Sequence, residues 1–277
     1  MIITVTHSTL SAASSVDKEA ALALRLRSLK SAIVAFSGGV DSTYLSAIAH
    51  EALGDSALIV TAQSPSMAES EFVFAATLAE ESGWNFKVVR TAEADDPRWL
   101  ANDASRCYLC KAELFTVLGH LAQDEGIGHI LYGAIPEDLG DIRPGLRAAS
   151  EHRAIAPLIE VGLTKPEIRD LSLRRGVPTW NKPQSACLAS RFPTGTAITH
   201  DGLRQVDRAE AALLAIGFVG HRVRHHGDIA RIELQPNDWS RVAAENTRAR
   251  MVELVKASGY RHVTIDLSGY TPAGQNT

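Results

Sequence analysis

Residues 37–42 (SGGVDS) place two glycines and two serines in one short turn between apolar segments. The apolar run 32–36 predicts a buried strand, and the pattern that begins at Tyr44 predicts a helix. Glycine lets the backbone approach a ligand closely, and the first N–H groups of a helix attract anions. The turn has neither the lysine of a Walker A loop nor the spacing of GxGxxG. We therefore expect a phosphate site formed by Ser37, Gly38, Gly39 and Ser42.

The three cysteines lie in two short polar motifs. Cys107 and Cys110 belong to RCYLCK, and Cys187 belongs to SACLASR. A structural zinc site would need a histidine as fourth ligand, because only three thiols exist. Three thiolates suit an iron–sulfur cluster with one open iron. From the residues alone, a cluster, a nucleophilic cysteine and buried structural thiols all stay open.

Periodicity predicts strands that alternate with longer helices in the first half of the chain. The predicted strands cover 32–36, 57–62, 86–89 and 129–133, and the predicted helices cover 17–30, 42–53, 67–82 and 108–125. This alternation is typical of right-handed crossovers and of a doubly wound parallel α/β sheet. Ligands bind such sheets beyond the carboxyl ends of the strands, where residues 37–42 lie.

The pattern changes at about residue 146. We predict a nucleotide-binding domain at 1–146, a proline-rich connecting segment at 147–199 that carries Cys187, and a small α/β domain at 200–277. The connecting segment should hold one helix near 165–175. In the last part we expect helices at 201–215 and 238–257, and strands at 219–225, 229–235 and 261–267. The tail from residue 271 is expected to fray.

Composition restricts the class of protein. The chain has 277 residues, 45% of them hydrophobic and 22% charged, with a formal net charge of -4. This balance argues against broad nucleic-acid binding. No apolar run is long enough to span a bilayer, and we predict no signal peptide. Three cysteines favour a reducing compartment, so we expect a cytoplasmic protein. We also expect a homo-oligomer.

The turn at 37–42 resembles the pyrophosphate loop of the ATP pyrophosphatase superfamily. In these enzymes the loop holds the β,γ-pyrophosphate of ATP while a substrate oxygen attacks the α-phosphorus. The resemblance implies ATP as a cofactor and gives Asp41 a catalytic part, the positioning of Mg²⁺. The alternative is an ordinary glycine-rich turn in which Asp41 serves only the helix N-terminus.

Over most of its length the sequence resembles the LarE family of ATP-dependent sulfur-transferring synthases. The matching stretches are FSGGVDS, RCYLCK, RPGLRAA at 143–149, LIEVGLTKPEIRDL, WNKPQSACLASRFPTGT and VRHHGDIARIE. The resemblance implies a pyridinium biscarboxylate mononucleotide as substrate, a precursor of the nickel-pincer cofactor. ATP adenylates one carboxylate, and sulfur then replaces AMP to give a thiocarboxylate.

The family uses two sulfur sources. In one, the cysteine that matches Cys187 forms a thioester, gives up its sulfur and is left as dehydroalanine. In the other, three cysteines hold a 4Fe–4S cluster that carries the sulfide. Because Cys107, Cys110 and Cys187 are all present, the resemblance favours the cluster, with Cys187 as a sacrificial donor in its absence.

Two pairs of charged residues complete the predicted site. Arg222 and Arg224 alternate along a predicted strand, where arginine forks suit a phosphate, and the resemblance places the mononucleotide phosphate near them. Glu210 and Glu233 match acidic positions that the family links to metal or substrate. The alternative for these residues is a solvated hairpin with paired charges.

Aromatic residues and one loop give the remaining expectations. Tyr108 and Trp99 are candidates for stacking on adenine or pyridinium, with packing in the core or under a lid as the alternative. The run GAIPED at 133–138 departs from the Gly-Thr-Asn-Ala-Asp-Asp-like run of related proteins. The polar residues kept in or next to this run are Asp138, Asp141 and Arg143.

Three rival functions remain. A tRNA thiolase should show a basic face or additional zinc-binding cysteines, and this sequence shows neither. An amidating synthetase needs an ammonia source and leaves the cysteines unexplained. A nucleotide-binding sensor would bind ATP without substrate-dependent pyrophosphate release.

Overall fold

The computed structural model describes residues 13–140 and 144–270. The strands are β1 (Ala32–Ala35), β2 (Ala57–Gln63), β3 (Phe86–Arg90), β4 (Ile130–Tyr132), β5 (Arg222–His226), β6 (Ile229–Glu233) and β7 (His262–Ile265). The helices are α1 (Ser15–Leu29), α2 (Val40–Leu53), α3 (Glu69–Glu81), α4 (Pro97–Leu100), α5 (Arg106–Asp124), α6 (Pro144–Glu151), α7 (Pro157–Glu160), α8 (Lys165–Arg174), α9 (His200–Ala215), α10 (Trp239–Ala243) and α11 (Glu245–Ala257).

The first four strands form a parallel sheet in the order β3-β2-β1-β4. The chain therefore runs outward from β1 to β3 and then returns to the other side of β1. The carboxyl ends of β1 and β4 lie at this switch point, which is where ligands bind in open α/β sheets. The α/β fold with a parallel sheet is confirmed.

Apolar residues on both faces of β1 are buried, as expected for a sheet covered on both sides. Val34 packs in the core between the sheet and helices α1, α2, α3 and α8, and it is fully buried. Ile33, on the opposite face, packs against α5 and α6 through Phe115, Leu118 and Ala149. Packing on both faces of β1 fixes the position of its carboxyl end and therefore the position of the turn that follows it.

A second sheet has the order β5-β6-β7, with β5 and β6 antiparallel and β6 and β7 parallel. Its core contains Val223, Ile232 and residues from α9 and α11. A third cluster joins the segment after Cys187 to the rest of the molecule, since Leu188, Ala189 and Phe192 pack with Trp99 and Leu203.

Most predicted elements agree with the structure, and two differ. The single helix expected at 238–257 is wrong, because the extended backbone of Ala244 (φ -69°, ψ 125°) separates α10 from α11. The segment 147–199 also contains more helix than expected, since α6 begins at Pro144 and α7 at Pro157, where proline suits the first helical turn. The three-part domain division stays a prediction. Asp141, Arg143, the N-terminal residues 1–12 and the tail from residue 271 lie outside the described residues.

Candidate active site

The turn after β1 has the geometry expected of an anion site. Gly38 has φ +70°, a backbone conformation that favours glycine, and an added Cβ would lie 3.1 Å from the Ala75 side chain. Gly39 is the N-cap of α2, and no described side chain caps this helix end. The Ser37 amide donates to Ser42 Oγ at 3.2 Å, and the two serine hydroxyls are 3.1 Å apart. The first turn of α2 thus presents its N–H groups with two hydroxyls beside them.

Two lysines from distant parts of the sequence reach this turn. Lys165 forms an ion pair with Asp41, and Lys182 Nζ donates to the Gly38 carbonyl at 3.1 Å and to Glu71 at 2.7 Å. The sequence analysis missed both, although each lies in a stretch that matches the LarE family. They supply the positive charge that the turn itself lacks.

Asp41 has one carboxylate oxygen available for a cation. Lys165 occupies Oδ2, whereas Oδ1 is buried and has no partner among the described residues. Burial raises the pKa of Asp41 above its ordinary value, and Lys165 partly opposes this effect. Because Mg²⁺ takes carboxylate and phosphate oxygens, the free oxygen beside an anion site fits the predicted metal.

A cavity of about 400 Å³ opens over the carboxyl ends of the strands. Its wall includes Ser37, Asp41, Ser42, Glu93 and Cys110. Ala134 and Asp138, from the loop after β4, also line it, so the GAIPED loop does reach the site. The structure therefore brings the predicted phosphate turn and one predicted sulfur residue to one cavity.

The three thiols are free and differ in exposure. Cys107 and Cys187 are exposed, and Cys110 is partly covered. Burial raises the pKa of Cys110 to about 12, and nearby Glu93 adds to this shift, with smaller contributions from Cys187 and Cys107. Cys187 and Cys107 therefore both lie near enough to Cys110 to affect its ionisation.

Whether the cysteines can hold an iron–sulfur cluster depends on their donor atoms and on the distances between them. The donor set is suitable, because three thiols are the ligands such a cluster needs. Among the described residues, however, no group of three or more His, Cys, Asp or Glu side chains is arranged to hold a metal ion. The cysteines as positioned do not form a closed ligand set.

Four arginines hold the backbone of residues 184–190, the segment that carries Cys187. They donate to main-chain oxygens of this segment as follows: Arg222 to Gln184 at 2.8 Å, Arg191 to Ala186 at 3.1 Å and to Cys187 at 3.2 Å, Arg106 to Ala189 at 2.8 Å, and Arg224 to Ser190 at 2.9 Å. The Leu188 amide also donates to the Ser66 carbonyl at 2.7 Å. These bonds fix the position of Cys187 relative to both sheets.

The predicted phosphate arginines are already engaged in this structure. Arg224 donates to both oxygens of Glu233, at 2.9 and 2.8 Å, and Arg222 is buried, 9% exposed, and lies over the Tyr270 ring. Glu210 accepts from Arg191 at 2.8 and 3.0 Å and from the Val223 amide. Phosphate binding by the arginines and metal binding by Glu210 and Glu233 stay predictions, and each would replace one of these contacts.

The two aromatic candidates differ in position. Trp99 is 1% exposed and belongs to the third core cluster, in agreement with core packing. Tyr108 is partly exposed, donates to Glu151 at 2.5 Å and has the Arg147 guanidinium 4.5 Å from its ring. A stacking role for Tyr108 stays a prediction.

Comparisons with known proteins support this description. A family model described as asparagine synthase matches residues 19–102. An uncharacterised protein of Synechocystis is 39% identical over 242 residues, 87% of this chain and 90% of that protein. Pyridinium-3,5-bisthiocarboxylic acid mononucleotide synthase of Lactiplantibacillus plantarum is 37% identical over 260 residues, 94% of each chain. An uncharacterised protein of Methanocaldococcus jannaschii is 28% identical over 243 residues, 87% of this chain and 91% of that protein.

The parallel sheet and the glycine turn at the start of α2 define an ATP-using protein of the pyrophosphate-loop class. The 37% identity to the Lactiplantibacillus synthase, over 94% of each chain, shows the family. The chain belongs to the LarE family of ATP-dependent sulfurtransferases. No helix within the described residues is long and apolar enough to cross a membrane.

Proposed function

We propose that the protein inserts sulfur into a pyridinium biscarboxylate mononucleotide, a precursor of the type of compound after which the Lactiplantibacillus relative is named. ATP binds with its β,γ-phosphates at residues 37–42, where the unpaired oxygen of Asp41 would hold Mg²⁺, and the ion would neutralise phosphate charge. The observation that carries the proposal is that this turn and Cys110 line the same cavity. An amidating synthetase or a nucleotide-binding sensor does not require a thiol there.

The chain's own residues would assist the first step electrostatically. A substrate carboxylate oxygen attacks the α-phosphorus, the bond from that phosphorus to the pyrophosphate oxygen breaks, and an acyl adenylate remains. The N-terminus of α2, Lys165 and Lys182 balance the charge on the departing pyrophosphate. Sulfur then attacks the acyl carbon, AMP leaves, and a thiocarboxylate forms.

The sulfur source has two forms in this proposal. In the first, Cys107, Cys110 and Cys187 would hold a 4Fe–4S cluster, which would supply sulfide and allow repeated turnover. In the second, Cys187 Sγ attacks the acyl carbon and forms a thioester as AMP leaves. The Cys187 Cβ–Sγ bond then breaks with loss of the Cα proton, which gives the thiocarboxylate and dehydroalanine.

Anaerobic purification, an optical spectrum and iron and sulfide counts distinguish the two forms. With a cluster, each single Cys→Ala variant loses the cluster absorbance and multiple turnover. The cluster form is refuted if Cys107→Ala and Cys110→Ala stay fully active while Cys187 loses about the mass of H₂S in one turnover.

Substrate-dependent pyrophosphate release tests the adenylation step. Asp41→Ala should abolish it with the fold intact by circular dichroism. Release of ADP and phosphate instead of AMP and pyrophosphate by the wild-type enzyme would contradict adenylation, and substrate-independent ATP binding alone would favour a sensor.

The remaining parts of the proposal concern the substrate phosphate, the cellular compartment and the oligomeric state. Arg222→Ala and Arg224→Ala should weaken mononucleotide binding more than ATP binding, by roughly 1.5–3 kcal/mol for each lost charged hydrogen bond. Equal losses for both ligands would assign these arginines to the fold. A cytoplasmic homo-oligomer is also proposed, and sedimentation of the purified protein tests the assembly.

A further inference from the structure

Besides Asp41 Oδ1, two buried polar atoms on the wall of the cavity lack hydrogen-bond partners among the described residues. Glu93 is 4% exposed, and its Oε2 has no partner. Thr91 Oγ1 is likewise buried without a partner. Both residues line the same cavity as the phosphate turn. Unpaired polar atoms are costly to bury, so their presence here indicates a ligand that forms hydrogen bonds with them.

The Glu93 carboxylate is held in one orientation by its other oxygen. Ser64 Oγ donates to Oε1, and the Ser66 hydroxyl lies 2.8 Å from that of Ser64. The Cys110 thiol is 3.9 Å from the same Oε1. Both contacts of the carboxylate therefore involve Oε1, which leaves Oε2 to accept from a ligand in the cavity.

The position along the sheet edge identifies the part of the nucleotide concerned. Residue 37 follows β1 closely, Ser64 directly follows β2, and Thr91 directly follows β3. Because neighbouring strands are about 4.8 Å apart, Thr91 lies about 10 Å along the edge from the phosphate turn. This separation matches the sugar of a nucleotide whose β,γ-phosphates occupy the turn. The apolar side chains of Val60 and Leu114 line the cavity and suit the adjoining base.

We propose that Glu93 and Thr91 bind the ribose hydroxyls of the bound nucleotide. Glu93 Oε2 accepts a hydrogen bond from one hydroxyl, and Thr91 Oγ1 pairs with the other. The two neighbouring hydroxyls of a ribose can bond to a carboxylate oxygen and to a threonine hydroxyl at the same time. The inference rests on the position of ATP given under the proposed function. The mononucleotide substrate also carries a ribose, so two sources of the same diol are possible.

Calorimetric titration with Mg²⁺ and ATP, 2′-deoxy-ATP, 3′-deoxy-ATP or ITP tests this contact. We expect the wild-type protein to bind ATP about 10-fold or more tightly than one of the deoxy nucleotides, because a hydrogen bond to a charged group is lost. Glu93→Gln should weaken ATP binding by about 5- to 10-fold and reduce that discrimination. Asp95→Asn is the matched control, since Asp95 belongs to the same turn but is exposed and should change nothing.

Each outcome assigns the contact. If Glu93→Gln leaves ATP binding intact but raises the KM for the mononucleotide several-fold, the ribose belongs to the substrate, and the diol site is supported. Equal wild-type affinity for ATP and both deoxy nucleotides, with an unchanged mononucleotide KM in Glu93→Gln, overturns the inference alone. If the affinity differs from that for ATP only with ITP, Glu93 contacts the edge of the base, and the inference is again overturned. Failure of the wild-type protein to bind ATP overturns the proposed function itself.

Discussion

Replacing Arg191 with methionine should both destabilise the protein and release the segment that carries Cys187. The Arg191 and Glu210 side chains are 3% and 13% exposed, and their two contacts measure 2.8 and 3.0 Å. Burial opposes the ionisation of Glu210, but the pair with Arg191 keeps its pKa below the ordinary value. Methionine would leave that carboxylate without its cation and would remove the Arg191 donor from the Ala186 and Cys187 carbonyls. Breaking one partner of a buried pair typically costs about 3–5 kcal/mol.

Urea unfolding measures this loss, and the iodoacetamide reaction rate of Cys187 measures the local release. Arg250→Met is the control, because its pair with Glu253 is 54% and 67% exposed and should contribute at most about 1 kcal/mol. The double variant Arg191→Met/Glu210→Leu should recover part of the stability, since no buried charge stays unpaired. If Arg191→Met loses no more stability than Arg250→Met and leaves the alkylation rate unchanged, the ion pair does not hold this segment.

Three other changes test the site and its support. An added Cβ at Gly133 would lie 2.9 Å from a backbone nitrogen of α2, so Gly133→Ala should lower both the melting temperature and the ATP affinity. Gly128→Ala is the control and should lower neither, because the space around its Cβ is open. Lys182→Met should weaken Mg·ATP binding roughly 10-fold by calorimetry, and unchanged affinity would remove Lys182 from the phosphate site. The hydrogen bond from Arg175 keeps the pKa of Glu19 below its ordinary value of 4.5. The ionised Glu19 therefore stabilises the fold above pH 4.5, and this stabilisation is lost as the pH falls through the lower pKa of the folded protein. The free energy of unfolding of Glu19→Gln should accordingly fall less steeply in acid than that of the wild-type protein.

Local sequence patterns predicted the strands of the parallel sheet and the helices between them. Strands buried on both faces produce continuous apolar runs, and the glycines at 38, 54 and 83 mark turns that local conformation requires. The break at Ala244 could not be read in the same way, because alanine favours helix and the extended backbone there depends on tertiary packing.

The sequence by itself determined the class of the protein, since residues 37–42 follow a buried strand and the cysteine motifs match one family. Only the tertiary structure decided which distant side chains meet at that turn. Lys165 and Lys182 are more than a hundred residues away from residue 42, and no local pattern indicates that α8 and the segment after it pack beside α2. Glu93 gave no signal either, because its burial and its unpaired oxygen depend on the order of strands in the sheet. Periodicity reports which face of an element is buried, whereas the convergence of side chains at an edge requires the packed arrangement of all the elements.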